Sequence, residues 1–210
     1  MNKYVKYPRT PHLPFSESHT DDDKLLSTDS HFYDFDKVVV TTKMDGENTT
    51  VYWNGKCHAR SIDSQHKEYH SWLMNHIQSW YYNLPVGSHI CGEYMFAKHS
   101  IFYENLPSYF LGFSFWRGDC CVDWDTTVGL FHDQNIISVP VLYIGKYDKQ
   151  KIISLAKEVI ADGQEGIVVR NASSFNRDDF SRNVAKYVRK NHVQTDQNCS
   201  SGSIIPNRLK

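Results

Sequence analysis

The pattern of apolar and polar positions divides the chain into short β-type runs separated by a few helix-type stretches. Val38-Val39-Val40-Thr41-Thr42 is an unbroken β-branched run and predicts a buried strand. Residues 49–53 read as a second strand, Asn54-Gly55 as a type I′ hairpin turn, and 56–61 as the returning strand. Asp63 or Ser64 then suits the cap of a helix on which Tyr69, Leu73, Ile77 and Trp80 recur on one side, until Pro85-Val86-Gly87 breaks it. Strands follow at 89–94 and 109–116, a short helix from near Asp125, and a strand over 136–144. Asp148 caps another helix, whose Ile152, Leu155, Ala156, Val159 and Ile160 form the buried stripe and which Gly163 ends. Residues 166–170 and 184–189 are the last strands. Hairpins mixed with helices predict an α+β fold of antiparallel sheets flanked by helices.

The ends read differently. Pro8, Pro11 and Pro14 forbid regular helix in residues 1–36, an extended lead-in in which Asp21-Asp22-Asp23 reads as a solvated acidic turn. No linker interrupts 37–190, so one domain is expected there, and 191–210, rich in Asn, Ser and Gly, reads as a tail. With 40% hydrophobic residues in 210, the chain has material for one good core. A formal net charge of −1 supplies no global attraction to nucleic acid, so any phosphate binding must come from a local cluster. The 5 Cys show neither disulfide nor metal spacing, which fits a reducing, cytoplasmic compartment. MNKYVKYPRT is not an apolar leader, and no run approaches the ~18 apolar residues of a membrane helix, so no membrane partner is expected. His66 and His70 stand four apart but lack the H-E-x-x-H order of a zinc helix, and read as a solvated helix face.

Chemistry concentrates in four places. Lys43-Met44-Asp45-Gly46-Glu47-Asn48 sets a lysine at the end of a strand, before a turn whose backbone amides suit a phosphate. Such a lysine is either an exposed residue before a turn or a nucleophile, and the second needs its neutral form favoured. Gly92-Glu93-Tyr94, Glu165-Gly166 and Lys186-Tyr187-Val188-Arg189 add two carboxylates and a basic strand in fixed order.

In that order the chain resembles the covalent nucleotidyltransferase superfamily of ATP-dependent ligases and mRNA-capping enzymes, and within it the ATP-dependent RNA ligase family. Lys43-Met44-Asp45-Gly46 matches motif I, Arg60 motif Ia, Gly92-Glu93 motif III, Phe113 motif IIIa, Glu165-Gly166 motif IV and Lys186 motif V. The resemblance runs from Lys37 to Lys190. The segments Tyr7-Pro8-Arg9-Thr10-Pro11-His12-Leu13-Pro14 and Asn191-His192-Val193-Gln194-Thr195 also look like bacterial and phage relatives.

The resemblance implies a nucleotidyltransferase (ATP-grasp-like) domain in which Lys43 takes AMP from ATP, passes it to a 5′-phosphate end, and a 3′-hydroxyl then displaces AMP, as in RNA repair. It makes Lys43, Glu165 and Lys186 catalytic. Thr42, Lys43, Met44, Asn48, Arg60, Glu93, Phe113, Lys186 and Arg189 are the nucleotide contacts, and Glu165 the ligand to Mg2+, or Mn2+ in its place. Glu93 would bind ribose, Asn48 the sugar or base side, and Phe113 would stack on adenine. By spacing alone Phe113 reads equally as core, Arg60 as a cross-strand ion pair, and Glu93 and Glu165 as turn carboxylates. The usual second basic residue of motif V is Val188 here. Either a bulge brings Arg189 to that face or Lys186 alone faces the phosphate. Arg182, Lys186, Arg189, Lys190 and His192 form the clear basic cluster, read either as a contact for nucleic-acid phosphates or, outside motif V, as a solvated basic edge, and His12, His99 and His192 are candidate substrate contacts. RNA ends or a nicked duplex are the expected substrate. The chain after Lys190 is too short for an oligonucleotide-binding barrel, so a partner protein is expected to supply a C-terminal domain. DNA nick sealing, guanylyl transfer as in capping, and nucleotide or RNA binding without catalysis are the competing readings.

Overall fold

The β-branched run becomes strand β1 (Val38–Lys43), whose three valines are wholly buried, in a computed structural model that describes residues 4–17, 23–190 and 204–210. After it come β2 (Glu47–Tyr52), β3 (Cys57–His58), α1 (Ser71–Ile77), β4 (Ser88–Tyr94), β5 (Phe110–Arg117), β6 (Cys120–Cys121), α2 (Trp124–Asp133) and β7 (Ile137–Ser138). The chain closes with β8 (Val141–Gly145), α3 (Lys149–Ala161), β9 (Gly166–Asn171), β10 (Phe175–Asn176), α4 (Phe180–Asn183) and β11 (Val184–Val188). These divide into two compact units, one from the described residues of Met1–Tyr7, Asp45–Ser138 and Thr195–Lys210, the other from those of Pro8–Met44 and Val139–Gln194. No described helix is long and apolar enough to cross a membrane.

The unit that carries Lys43 is built on a 4-stranded antiparallel sheet in the order β11-β9-β1-β8. Asp148 caps α3 by accepting hydrogen bonds from Gln150 N and Lys151 N, and Ile152, Ala156 and Val159 pack the helix onto Val38, Val40, Ile167 and Val169. The lead-in belongs partly to this sheet. Lys186 N donates to Pro11 O at 2.9 Å and Leu13 N to Lys186 O at 2.8 Å, so His12 lies beside β11 as an extended edge, a place where the neighbouring prolines cost no ladder bond.

The other unit has the strand order β6-β5-β4-β2-β3, with β7 added parallel to β5. Its core joins Val51, Leu73, Ile77, Trp80, Ile90, Phe110, Phe115 and Phe131. The β4–β5 register slips between Cys91 and Gly92, which face Ser114 and Gly112, so Phe113 is the extra residue of a bulge.

Several elements differ from the sequence pattern for local reasons. Asn54 does not take positive φ and Gly55 does, at 80°, with Gly55 N bonded to Tyr52 O and Tyr52 N to Lys56 O. The hairpin therefore turns through a glycine bulge rather than type I′. The return strand stops at His58 and the helix waits until Ser71, because Ser64 Oγ is used by Ala59 N in a turn and caps nothing. Asp123 caps α2, two residues ahead of Asp125. The run 136–144 is two strands in different sheets, parted at Val139-Pro140, where Pro140 has no amide hydrogen to continue a ladder. His70 is buried, its Nε2 2.7 Å from Glu47 Oε1, and is not part of a solvated helix face. The segment 191–195 and residues Asp21, Asp22 and His192 lie outside the described residues.

Residues 204–210 are more than a polar tail. Asn207 is 1% exposed, donating from its side chain to Met95 O at 2.7 Å and Ala97 O at 3.4 Å, and accepting from Tyr103 N at 2.9 Å. Its backbone N donates to Phe96 O and its carbonyl accepts from the Tyr109 hydroxyl.

Candidate active site

Lys43 ends β1 directly opposite Gly166 of β9, and its Nζ lies 2.5 Å from Glu165 Oε1. The Glu165 side chain is 0% exposed and that of Lys43 25%. A carboxylate taken out of water costs several kcal/mol unless a cation or donors meet it, so Glu165 and Lys43 fix each other. Two rows along the sheet Thr41 faces Val168, and Val168 faces Lys186. Directly paired residues share a face, as do residues two apart on one strand, so Lys186 and Lys43 stand on the same side of the sheet. Gly166 lies between Lys43 and Val188 in its row; with φ 151°, an added Cβ would run into the Tyr187 carbonyl oxygen. This glycine lets the strands close up beside the lysine.

Lys186 is buried, with Nζ 3.5 Å from Asp23 Oδ1. Burial is the largest influence on it and pushes its pKa below the ordinary lysine value; Asp23 opposes this, Lys43 adds to it, and Glu165 opposes it. The β11–β9 register runs unbroken to Val188, so Lys186 and Val188 share a face and no bulge reorients Arg189. Arg189 instead holds the loop that carries the carboxylate, its N donating to Glu165 O at 3.1 Å. Thr42 and Met44 are buried, and Thr42 N donates to Pro140 O.

In the other unit Asn48 and Glu93 face each other across β2 and β4. Glu93 Oε1 accepts from Gly46 N at 3.2 Å, and Asp45 N donates to the Tyr103 hydroxyl at 3.2 Å. The turn amides expected to approach a phosphate are thus engaged by side chains. Gly46 is needed for proximity: a Cβ there would stand 2.6 Å from Tyr94 O. Asp45 accepts from Ser100 N, Ser100 Oγ and Ile101 N, which anchors the turn. Asn48 Oδ1 is buried and accepts no hydrogen bond from any described residue, an acceptor suited to a ligand's hydroxyl or amine. Arg60 lies just past β3, half-buried, with no side-chain hydrogen bond or ion pair among the described residues; the cross-strand pair does not form. Phe113 is half-buried at the bulge, with the Tyr7 ring edge-on at 5.2 Å between centroids.

Two expectations about the lead-in change. Asp23 is 14% exposed and engaged with Lys186, so it does not form part of a solvated turn. His12 is 1% exposed with Nε2 3.3 Å from Asp23 Oδ1, packed inside this unit. The signal for Asp23 was weak, because an acidic run resembles a surface turn.

Among the described residues no group of three or more His, Cys, Asp or Glu is placed to hold a metal. Glu165 still fits Mg2+ or Mn2+ of the kind held by one carboxylate together with nucleotide phosphates and water.

The family model described as RNA ligase matches residues 36–188. Comparison with curated protein sequences gave no match. Among solved structures the chain is similar to an archaeal ATP-dependent RNA ligase (form 1), with a TM-score of 0.64 and 14% identity over 88% of this chain and 48% of that one. A putative ATP-dependent DNA ligase from Aquifex aeolicus gives 0.59 and 19% over 88% and 50%. A mutant of the Naegleria gruberi RNA ligase with ATP and Mn gives 0.53 and 15% over 89% and 62%. Identities this low show a shared fold, the antiparallel, helix-flanked α+β arrangement of ligase nucleotidyltransferases. The chain spans roughly half to three-fifths of the length of these relatives.

Proposed function

The chain belongs to the RNA ligase family, and from that premise we propose that it activates nucleic-acid ends with ATP through a lysyl-AMP intermediate on Lys43. The observation that carries the reading is the Lys43 amine 2.5 Å from a fully buried carboxylate, with Lys186 on the same sheet face. To react, Lys43 must be the neutral amine, and Glu165 Oε1 beside it holds that nitrogen in place. The Nζ lone pair then forms a bond to the α-phosphorus as the bond to the β-phosphate oxygen breaks and pyrophosphate leaves. Lys186 supplies positive charge to the phosphate oxygens, where charge grows during displacement. Mg2+ or Mn2+ held by Glu165 would neutralise phosphate charge when bound. Glu93 and Asn48 are the sugar contacts in this reading, Arg60 a ribose or phosphate contact and Phe113 the adenine platform, while Arg189 serves by holding the Glu165 loop.

Incubation with α-labelled ATP and Mg2+ is expected to label the protein covalently, and Lys43→Ala to abolish the label; an adduct that survives in that variant would refute the assignment. We assign RNA ends as the substrate, with the AMP passed to a 5′-phosphate and displaced by a 3′-hydroxyl in RNA repair. Nicked duplexes with an RNA or a DNA 3′-hydroxyl strand separate the options, RNA being sealed preferentially and equal sealing ruling out the preference.

A further inference from the structure

We propose that Asp23, oriented by His12, is a positioning residue that fixes the Lys186 ammonium on the sheet face it shares with Lys43; the inference rests on the adenylylation reading above. The backbone first brings the three together. His12 bridges Lys186 on one side and Leu25 on the other, with His12 N donating to Lys24 O at 2.7 Å and Leu26 N to His12 O at 2.9 Å. The prolines on either side of this histidine keep the strip extended, which delivers Asp23 to the end of the Lys186 side chain.

The side chains then close a circuit. Asp23 Oδ1 lies 3.5 Å from Lys186 Nζ and 3.3 Å from His12 Nε2. The other ring nitrogen, Nδ1, is 3.2 Å from Ser16 Oγ, and Ser16 Oγ accepts from Val188 N at 3.2 Å. Lys186, Asp23, His12 and Ser16 thus return to the same strand that carries the lysine. With His12 1% exposed and the side chains of Asp23 and Lys186 14% and 7%, the carboxylate has little freedom to turn elsewhere.

The chemistry requires such a device. Two lysines on one face must act in opposite states, Lys43 as a neutral amine and Lys186 as a cation. Glu165 is the carboxylate next to Lys43, and Asp23 the one next to Lys186. Burial favours the neutral form of Lys186 and Asp23 resists it. Without Asp23 the ammonium loses its anchor and the larger of the two carboxylate influences that oppose burial.

Single-turnover labelling with α-labelled ATP and Mg2+ at saturating ATP, alongside thermal unfolding, tests this on the full chain. Asp23→Asn is expected to slow labelling roughly 10- to 100-fold, as small misplacements of catalytic groups do, and Asp23→Glu to recover most of the rate. His12→Gln, which keeps a polar amide beside Asp23, is expected to label faster than His12→Ala. A role confined to stability would lower the melting temperature and leave the rate of the folded protein unchanged. Labelling of folded Asp23→Asn at the wild-type rate would overturn the inference alone. If Asp23→Asn does not fold, equal wild-type rates in the two His12 variants would do the same. Absence of label on the wild-type protein would overturn the adenylylation reading together with it.

Discussion

At Lys186 burial and neighbouring charge act in opposition, and the net direction is a pKa below 10.5. The sign of the stability effect follows. In the window between the depressed folded pKa and 10.5 the unfolded chain holds more protons than the folded one, so stability rises with pH there. Below that window the cost of burying the charge is borne in full. Lys186→Met removes the titrating group, so the stability of wild type minus that of the variant should increase as pH climbs toward 10.5. Urea midpoints across alkaline pH measure it, and a flat difference would contradict the direction. Lys43 and Glu165 were legible through the fixed order of the motifs; each alone reads equally as an exposed lysine before a turn or a turn carboxylate. Asp23 was hidden because its partner lies more than a hundred positions away and nothing local distinguishes it from a surface acid.

Among the elements, Gly166 shows how a backbone detail shapes the lysine's surroundings. At φ 151°, with the Tyr187 carbonyl oxygen where a side chain would start, alanine fits neither the torsion nor the space. Gly166→Ala is expected to cost about 3 kcal/mol or more, since the obstacle is main chain and cannot rotate away. Denaturant unfolding checks this, and a loss under ~1 kcal/mol would show that β9 and β11 separate easily. The strands and α3 were legible because β-branched runs and a 3.6-residue stripe are local signals; of Tyr69, Leu73, Ile77 and Trp80 the last three are core and Tyr69 packs beside it, though α1 holds only Leu73 and Ile77. The start of α1 was not legible, because Ser64 serves equally in a cap or a turn and the outcome depends on Ala59. The split of 136–144 turned on which sheet each half joins, a choice that Pro140 permits but does not dictate.

For the whole molecule, the last residues matter as much as the motifs. Asn207 joins Met95 O, Ala97 O and Tyr103 N, and the Tyr103 hydroxyl in turn accepts from Asp45 N in the turn after the lysine. Asn207→Ala leaves several buried groups unmatched and should lower stability by roughly 2–4 kcal/mol, read as a shift in the urea midpoint. Asn207→Asp, which keeps an acceptor for Tyr103 N but loses both donated bonds, should also destabilise the fold; a neutral effect would mean that the strap is held by its backbone alone. The composition of this stretch gave no sign of it, since one asparagine among polar residues looks the same whether it is buried or in water.

The division of the chain between its two units has a practical outcome. Polypeptide passes from one to the other at Tyr7–Pro8, Met44–Asp45 and Ser138–Val139 and once more beyond Lys190, and each unit is assembled from separated stretches. β1 pairs with β8 and β9, partners synthesised roughly a hundred residues later, so the sheet under the lysine forms late and at high contact order. No single protease cut releases either half intact, and no truncation from either end isolates the sheet bearing Lys43. An autonomous version of that half requires an internal replacement in which Met44 is rejoined to Val139 by a short artificial loop in place of 45–138.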